Sequence, residues 1–251
     1  MRRIESSKNP KVKQWKKLHT RKEREKTGLF LVEGFHMVEE ALHTNGTVNE
    51  LIINEKTEIP SKWDITNIDV TYVNDEIIAV ISETEAPQGI FAVCNKLTLD
   101  TSLDNKNKYL LIDAVQDPGN VGTIIRTAEA VGIDAIILGN GTVDVYNPKV
   151  LRATQGAIFH VPVVKGSLVD WVRLLKEKNV SIFGTSLQNG VDYREIPPQS
   201  KFALLVGNEG NGVNEELLKS TTSNIYIPIY GKSESLNVAV ATGIVLYHFQ
   251  Q

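Results

Sequence analysis

The sequence predicts an α/β protein in two parts, the second of them a parallel sheet. Three observations predict it. From residue 109 onward, short apolar runs alternate with stretches of helical period, the pattern of strand–helix–strand crossovers. One run, residues 202–206 (FALLV), is fully apolar, as expected of a central strand covered on both faces. Residues 97–108 (LTLDTSLDNKNK) are polar and aperiodic, and read as a linker between domains.

The totals agree. At 251 residues, with 41% hydrophobic and 23% charged, the chain has the composition of a globular protein with room for two ordinary domains. Apolar runs fall short of the ~20 residues that span a bilayer, and the basic N-terminus lacks the apolar core of a secretory signal. The single cysteine, Cys94, excludes an internal disulfide and a Cys-rich zinc site. It follows the apolar residues 90–93 and reads as a buried packing residue. His19, His36 and His43 show no metal-ligand spacing, so no metal is expected. A cytoplasmic protein is the expectation.

Charge is unevenly distributed. Residues 1–26 hold eleven Lys or Arg against three Glu, a charge of +8, so the rest must carry −11 of a total of −3. Such a skew suggests a partner with a phosphate backbone, although a solvated basic helix has the same signature. Residues 7–25 read as one helix once past Pro10, with Val12, Trp15 and Leu18 on one face and Gly28 as its break. Residues 1–26 are therefore taken as a basic helical arm.

Residues 27–96 read as a small α/β or α+β domain. Strands are expected at 30–32, 48–53, 70–73 and 90–94. Between them lie a helix at 34–43, with Phe35, Val38 and Leu42 inward, and a helix at 76–81 capped by Asp75, with Ile77, Ile78 and Ile81 inward. Nothing in this half looks catalytic.

After the 97–108 linker, residues 109–251 continue the alternation. The first strand, 109–113, ends at Asp113 and a turn-rich loop. Asn120 can cap the helix 121–131, whose inner face holds Val121, Ile124, Ile125 and Ala128 and which Gly132 ends. A strand at 135–138 follows. Asn147-Pro148 is an N-cap with Pro at the first helical position, and Ser167 caps a helix with Leu168, Val172 and Leu175 inward. Strands are expected at 161–164, 181–185, 202–206 and 225–229, and a brief helix at 213–219. The final helix, 236–247, is apolar almost all round and should be buried on every side. Ser235 and Asn237 at its entrance read equally as caps or as site residues.

Ligands of parallel sheets bind beyond the carboxyl ends of the strands. The loops after 113, 206 and 229 lie there and hold most of the unusual residues. The loop at 207–212, GNEGNG, is neither GxGxxG nor a P-loop, but its glycines allow close approach to a ligand and Glu209 sits at its centre. Taken singly, Arg126 is as well explained as a surface arginine, and Asp113 as a loop cap.

Together the three loops say more. LLIDAVQDPGNVGTIIRTAEAVG, LLVGNEGNGV and IPIYGKSESLNVAVATGIVLYH, in that order, resemble the three motifs of the SpoU/TrmH family of RNA ribose methyltransferases, within the SPOUT superfamily. The intervening NPKVLRATQGAIFHVPV is similar too, so the resemblance covers residues 109–248. Residues 28–95 resemble, through Pro87-Gln88-Gly89, the ribosomal-protein-like RNA-binding domain that often precedes this catalytic domain.

The resemblance implies a fold and a reaction. The fold is a parallel-sheet domain closed by a deep trefoil knot, which general topology rules would have rejected, and typically a homodimer. The reaction is methyl transfer from S-adenosylmethionine to a ribose 2′-hydroxyl in RNA, with rRNA favoured over tRNA. A non-catalytic ribosome-assembly protein and a base methyltransferase are the competing readings. Carried over by position, Asn120, Arg126, Glu209, Ser235 and Asn237 match the polar motif positions. Thr185, Leu205, Gly207, Ile227, Leu236 and Asn237 are expected around the cofactor, chiefly through main-chain groups at Gly207, Ile227 and Leu236. Ala239 stands where many members have a second serine.

Overall fold

The computed structural model describes residues 2–97, 106–187 and 189–250, so most of the expected linker lies outside the described residues. In chain order the elements are β1 (Arg2–Ile4), α1 (Pro10–Lys17), α2 (Arg21–Thr27), β2 (Leu29–Glu33), α3 (Phe35–His43), β3 (Val48–Asn54), β4 (Asp69–Val73), α4 (Asp75–Ile81) and β5 (Ile90–Asn95). Then come β6 (Lys108–Ile112), α5 (Pro118–Val131), β7 (Ala135–Leu138), α6 (Pro148–Thr154), β8 (Val163–Lys165), α7 (Leu168–Glu177), β9 (Ser181–Thr185) and β10 (Val191–Asp192). The chain closes with β11 (Phe202–Val206), α8 (Glu215–Leu218), β12 (Ser223–Tyr226) and α9 (Val238–Phe249). No helix among the described residues is long and apolar enough to cross a membrane.

Two compact units result: Met1–Thr98 with Asp144–Phe159, and Leu99–Val143 with His160–Gln251. The first has a mixed sheet in the order β1-β4-β3-β5-β2, parallel at β1–β4 and β3–β4 and antiparallel at β3–β5 and β2–β5. Cys94 is fully buried in it, and burial pushes its thiol pKa up. The expected single helix at 7–25 is two. Leu18 closes α1, and the Thr20 hydroxyl accepts the Glu23 N–H to start α2. A threonine N-cap competes well with helix continuation, which is why the break falls there. Val12, Trp15 and Leu18 do share a buried face, and the Trp15 indole N–H donates to Glu50 at 3.2 Å. Asn74, not Asp75, caps α4, because the Asp75 carboxylate is engaged by Asn54 and Lys56. The inward face of α3 is Met37, Val38 and Ala41; Phe35 is half-buried against the Trp63 ring.

Arg24, 2% exposed, is a further feature of this unit. Its guanidinium donates to the carbonyls of Leu18 and His19 and to the Asp144 carboxylate, at 2.5 Å. The segment Asp144–Phe159 is thereby tied to the N-terminal helices.

In the second unit every neighbouring strand pair is parallel, in the order β10-β12-β9-β11-β6-β7-β8. β11 lies between β9 and β6 with all five residues buried, as its composition predicts. Leu168, Val172 and Leu175 of α7 pack on Leu111, Ile137 and Leu205 of the sheet. β8 begins two residues later than expected and α8 is shorter. β12 ends at Tyr226 rather than at 229, since Pro228 has no N–H to extend a ladder. α9 differs most. It buries Ala239, Thr242, Val245, Leu246 and Phe249, but Val240 is 53% and Tyr247 57% exposed. Within one chain, its all-round apolar surface is only half covered.

Candidate active site

The loops after β6, β11 and β12 leave the same end of the parallel sheet. α5 starts earlier than the sequence suggests. Pro118 is its first residue and Asp117 its N-cap, with the Asp117 carboxylate accepting the Asn120 N–H at 2.8 Å. Asn120 is therefore not the cap, and its side chain is released for another use. Its amide donates to Glu209 at 3.1 Å, and its oxygen accepts from the Asn237 amide at 2.8 Å. Asn237 meanwhile caps α9, accepting from the N–H groups of Ala239 and Val240. Glu209, Asn120 and Asn237 thus form one hydrogen-bonded chain joining all three loops.

The Glu209 carboxylate also accepts the main-chain N–H groups of Gln116 and Asp117. Partial burial opposes its ionisation, but the Asn120 amide and the main-chain donors outweigh that, and its pKa falls below the usual carboxylate range. Asp113 acts as a loop cap, accepting the Asn214 N–H at 2.8 Å.

Gly207 is required by the chain itself. A Cβ there would lie 2.2 Å from both the Gly212 carbonyl carbon and the Val213 nitrogen. The loop doubles back so tightly because Asn208 and Gly212 exchange main-chain hydrogen bonds. The Asn208 side chain completes the turn, accepting from Gly210 and Asn211 and donating to the Ala114 carbonyl at 2.8 Å. Sequence reasoning missed Asn208; an asparagine opening a glycine-rich turn is the signal that could have found it.

Thr185, at the end of β9, donates to the Leu205 carbonyl at 3.3 Å, and Leu205 is buried in β11. Ile227 is half-buried just past β12, and Leu236 is 38% exposed. The main-chain groups of Gly207, Ile227 and Leu236 make no hydrogen bond among the described residues. At Gly207, which is buried, this is unusual, because buried main-chain groups are almost always paired.

Two expected residues stand apart. Ser235 is exposed and makes no hydrogen bond among the described residues. Arg126 is exposed on α5 without an ion pair among the described residues. Six residues from Asn120, it projects about 120° around the helix from it, away from the three-loop cluster.

A parallel sheet whose carboxyl-end loops gather a carboxylate, amides and unpaired main-chain groups has the layout of an α/β ligand-binding enzyme. Comparison makes this specific. Residues 107–247 match the SpoU rRNA Methylase family, and residues 9–92 match the MRM3-like substrate binding domain. The protein belongs to the SpoU rRNA methylase family, as its three motifs indicate. It is 52% identical to the 23S rRNA (guanosine(2553)-2′-O)-methyltransferase RlmP of Bacillus subtilis, with 100% of each chain covered. Among solved structures it is similar to the AdoMet-bound rRNA methyltransferase from Sinorhizobium meliloti, at 32% identity and a TM-score of 0.89, covering 99% of this chain and 97% of that one. It is also similar to the SpoU methyltransferase AviRb from Streptomyces viridochromogenes in complex with AdoMet, at 27% identity and a TM-score of 0.85, covering 97% of each chain.

Proposed function

We propose that the protein transfers a methyl group from S-adenosylmethionine to a ribose 2′-hydroxyl of rRNA, at a 23S guanosine equivalent to that of its Bacillus relative. One observation in this chain carries the reading. The residues expected to hold the cofactor through their main chain, Gly207, Ile227 and Leu236, are residues whose main-chain groups are free, and one of them is buried. That donor and acceptor set fits an adenosine-bearing ligand. Bound there, S-adenosylmethionine supplies an electrophilic methyl group on a sulfonium centre.

The chain's own residues then have few tasks. Leu205 and Ile227 wall the cleft, and Thr185 closes its floor. Asn120, Glu209 and Asn237 hold the three loops in one arrangement, so that alignment is built before the RNA arrives. Ser235 adds a hydroxyl at the entrance to α9. Arg126 binds an RNA phosphate and stabilises the alkoxide charge developing on the 2′-oxygen. A guanidinium holds its proton and is a poor general base, so the proton leaves to a phosphate oxygen or water.

Because Arg126 faces away from its own cluster, this reading has it act from a partner subunit. The exposed stripe Leu236, Val240 and Tyr247 supports a homodimer, since exposed apolar residues at helical spacing need a cover. The trefoil knot belongs to the same proposal. It is supported by α9, which leaves β12 yet packs on α5 and β11, beyond the intervening β9. Residues 1–26, 27–96, 97–108 and 109–251 then serve as basic arm, RNA-binding domain, linker and methyltransferase domain. All of this takes place in the cytoplasm, where the rRNA is.

Two measurements test the proposal: calorimetry with S-adenosylmethionine, and methyl transfer to unmodified 23S rRNA followed by nuclease digestion. A nuclease-resistant dinucleotide is expected. No cofactor binding at millimolar concentration, or label confined to a base, refutes it.

A further inference from the structure

Helix α1 sorts its lysines by face. On the side of the buried Val12, Trp15 and Leu18, Lys11 pairs with Glu50, itself only 7% exposed. On the opposite side Lys13, Lys16 and Lys17 are exposed, spaced i, i+3 and i+4, and form no ion pair among the described residues. Like charges at that spacing repel and α1 contains no acidic residue to offset them, although the C-terminal end of the helix dipole favours Lys16 and Lys17. Several other cations of the same unit are neutralised, Arg3 by Glu55, Arg21 by Glu25, Lys56 by Asp75 and Lys62 by Glu39. Lys8, Lys22 and Lys26 are exposed without an ion pair among the described residues, but of these only Lys22 and Lys26, on α2, share a helix face.

We propose that the outer face of α1, Lys13, Lys16 and Lys17, is a docking surface for the sugar–phosphate backbone of the RNA substrate. It lies on a different unit from the loops that hold the cofactor. Trp15 is buried and offers no ring for base stacking, so the face reads charge and not sequence. A protein partner would instead leave binding to RNA unaffected when the face is neutralised. The proposal rests on RNA being the substrate.

The experiment uses the full-length protein with K13Q/K16Q/K17Q and, as a charge control on α7, R173Q/K176Q. Affinity for an rRNA fragment is measured across a fourfold range of salt, beside KM for RNA, kcat and cofactor affinity. Each phosphate that a lysine no longer neutralises should flatten the salt slope by about 0.7–0.9. Over that range the wild type should lose about 20–40-fold more affinity than the triple variant. KM for RNA should rise while kcat and cofactor affinity hold. An unchanged slope in a folded triple variant overturns the proposal, as does an equal effect in the α7 control. The single variants, each flattening the slope by one lysine's share, keep the test available if the triple variant folds poorly. A wild type that neither binds nor methylates rRNA overturns the functional reading itself, whereas a wild type that methylates with an unaltered triple variant overturns only the docking surface.

Discussion

Replacing Asn120 tests the three-loop tie most directly. Asn120→Ala removes the amide donated to Glu209 and the oxygen that accepts from Asn237. A neutral hydrogen bond contributes about 0.5–1.5 kcal/mol net and a charge-assisted one about 1.5–3. Glu209 is largely exposed and keeps the N–H donors of Gln116 and Asp117, while Asn237 keeps its role as the α9 cap. The loss therefore belongs at the lower end, about 1–2 kcal/mol, or roughly 2–8 °C in Tm for a chain of this size. Cofactor affinity should fall along with it, because the loops no longer hold one another. Asn120→Asp separates this account from the cap reading. Asn and Asp are nearly equal as N-caps, so a capping role predicts a neutral substitution. In the tie, the new carboxylate faces Glu209, and two like charges repel. Asp should then be worse than Ala at neutral pH, with the gap closing as pH falls into the carboxylate range. Thermal unfolding and calorimetry with S-adenosylmethionine read both. An Asp variant that matches the wild type, or an Ala variant with affinity within about twofold of it, refutes the reasoning.

Other expectations follow from the same structure. Gly207→Ala puts a Cβ 2.2 Å from two main-chain atoms, so the cost should reach or exceed the ~1–3 kcal/mol typical of overpacking; thermal scans should show it, and calorimetry should show weakened cofactor binding. Arg24→Ala leaves two carbonyls unpaired and Asp144 without its cation, with the Tyr146 N–H still donating to it, in the first unit, which should cost about 3 kcal/mol in denaturant titrations. Burial, with the charge of Asp134 adding to it, raises the Tyr109 phenol to about 12, above its unfolded value of ~10. Its contribution is therefore complete below about pH 10 and lost as pH rises through about 12, and Tyr109→Phe should lessen the alkaline loss of stability measured by denaturant titration over that range. V240E/Y247E alters two exposed positions, so monomer stability should change by no more than about 0.5 kcal/mol each, while sedimentation should report loss of the proposed dimer and methyl transfer should fall; a variant that still dimerises counts against that interface.

The elements legible in the sequence were those whose signals are local. Residues 202–206 announced a buried strand by composition alone, and Asn147-Pro148 and Ser167 announced helix starts because a cap acts on the next two or three N–H groups. What was missed depends on distant partners. β1 is three residues, two of them arginine, and is a strand only because β4 offers it an edge. β10 is two residues held by β12 in the same way. The break at Leu18–Thr20 was hidden because Val12, Trp15 and Leu18 keep one face through it. An apolar stripe reports burial, not continuity of the helix.

The site shows the same division more sharply. Its residue types were visible in three motifs, but the first motif lies far from the other two, as the separations of 89 between Asn120 and Glu209 and 117 between Asn120 and Asn237 show. No periodicity spans such distances, so only the resemblance could join them. Local reasoning then misassigned Asn120, because asparagine before an apolar helical run is a sound cap signal. Asp117 outcompetes it by standing immediately before Pro118, whose missing N–H suits the first helical position. The amide released by that competition is the one that joins Glu209 to Asn237. α9 carries the complementary lesson. Its all-round apolar sequence implies burial on every side, and a single chain covers only one side. In the homodimer proposed above, a second copy would cover the exposed side of α9, and the same second copy would bring the exposed Arg126 to a ribose held by its partner.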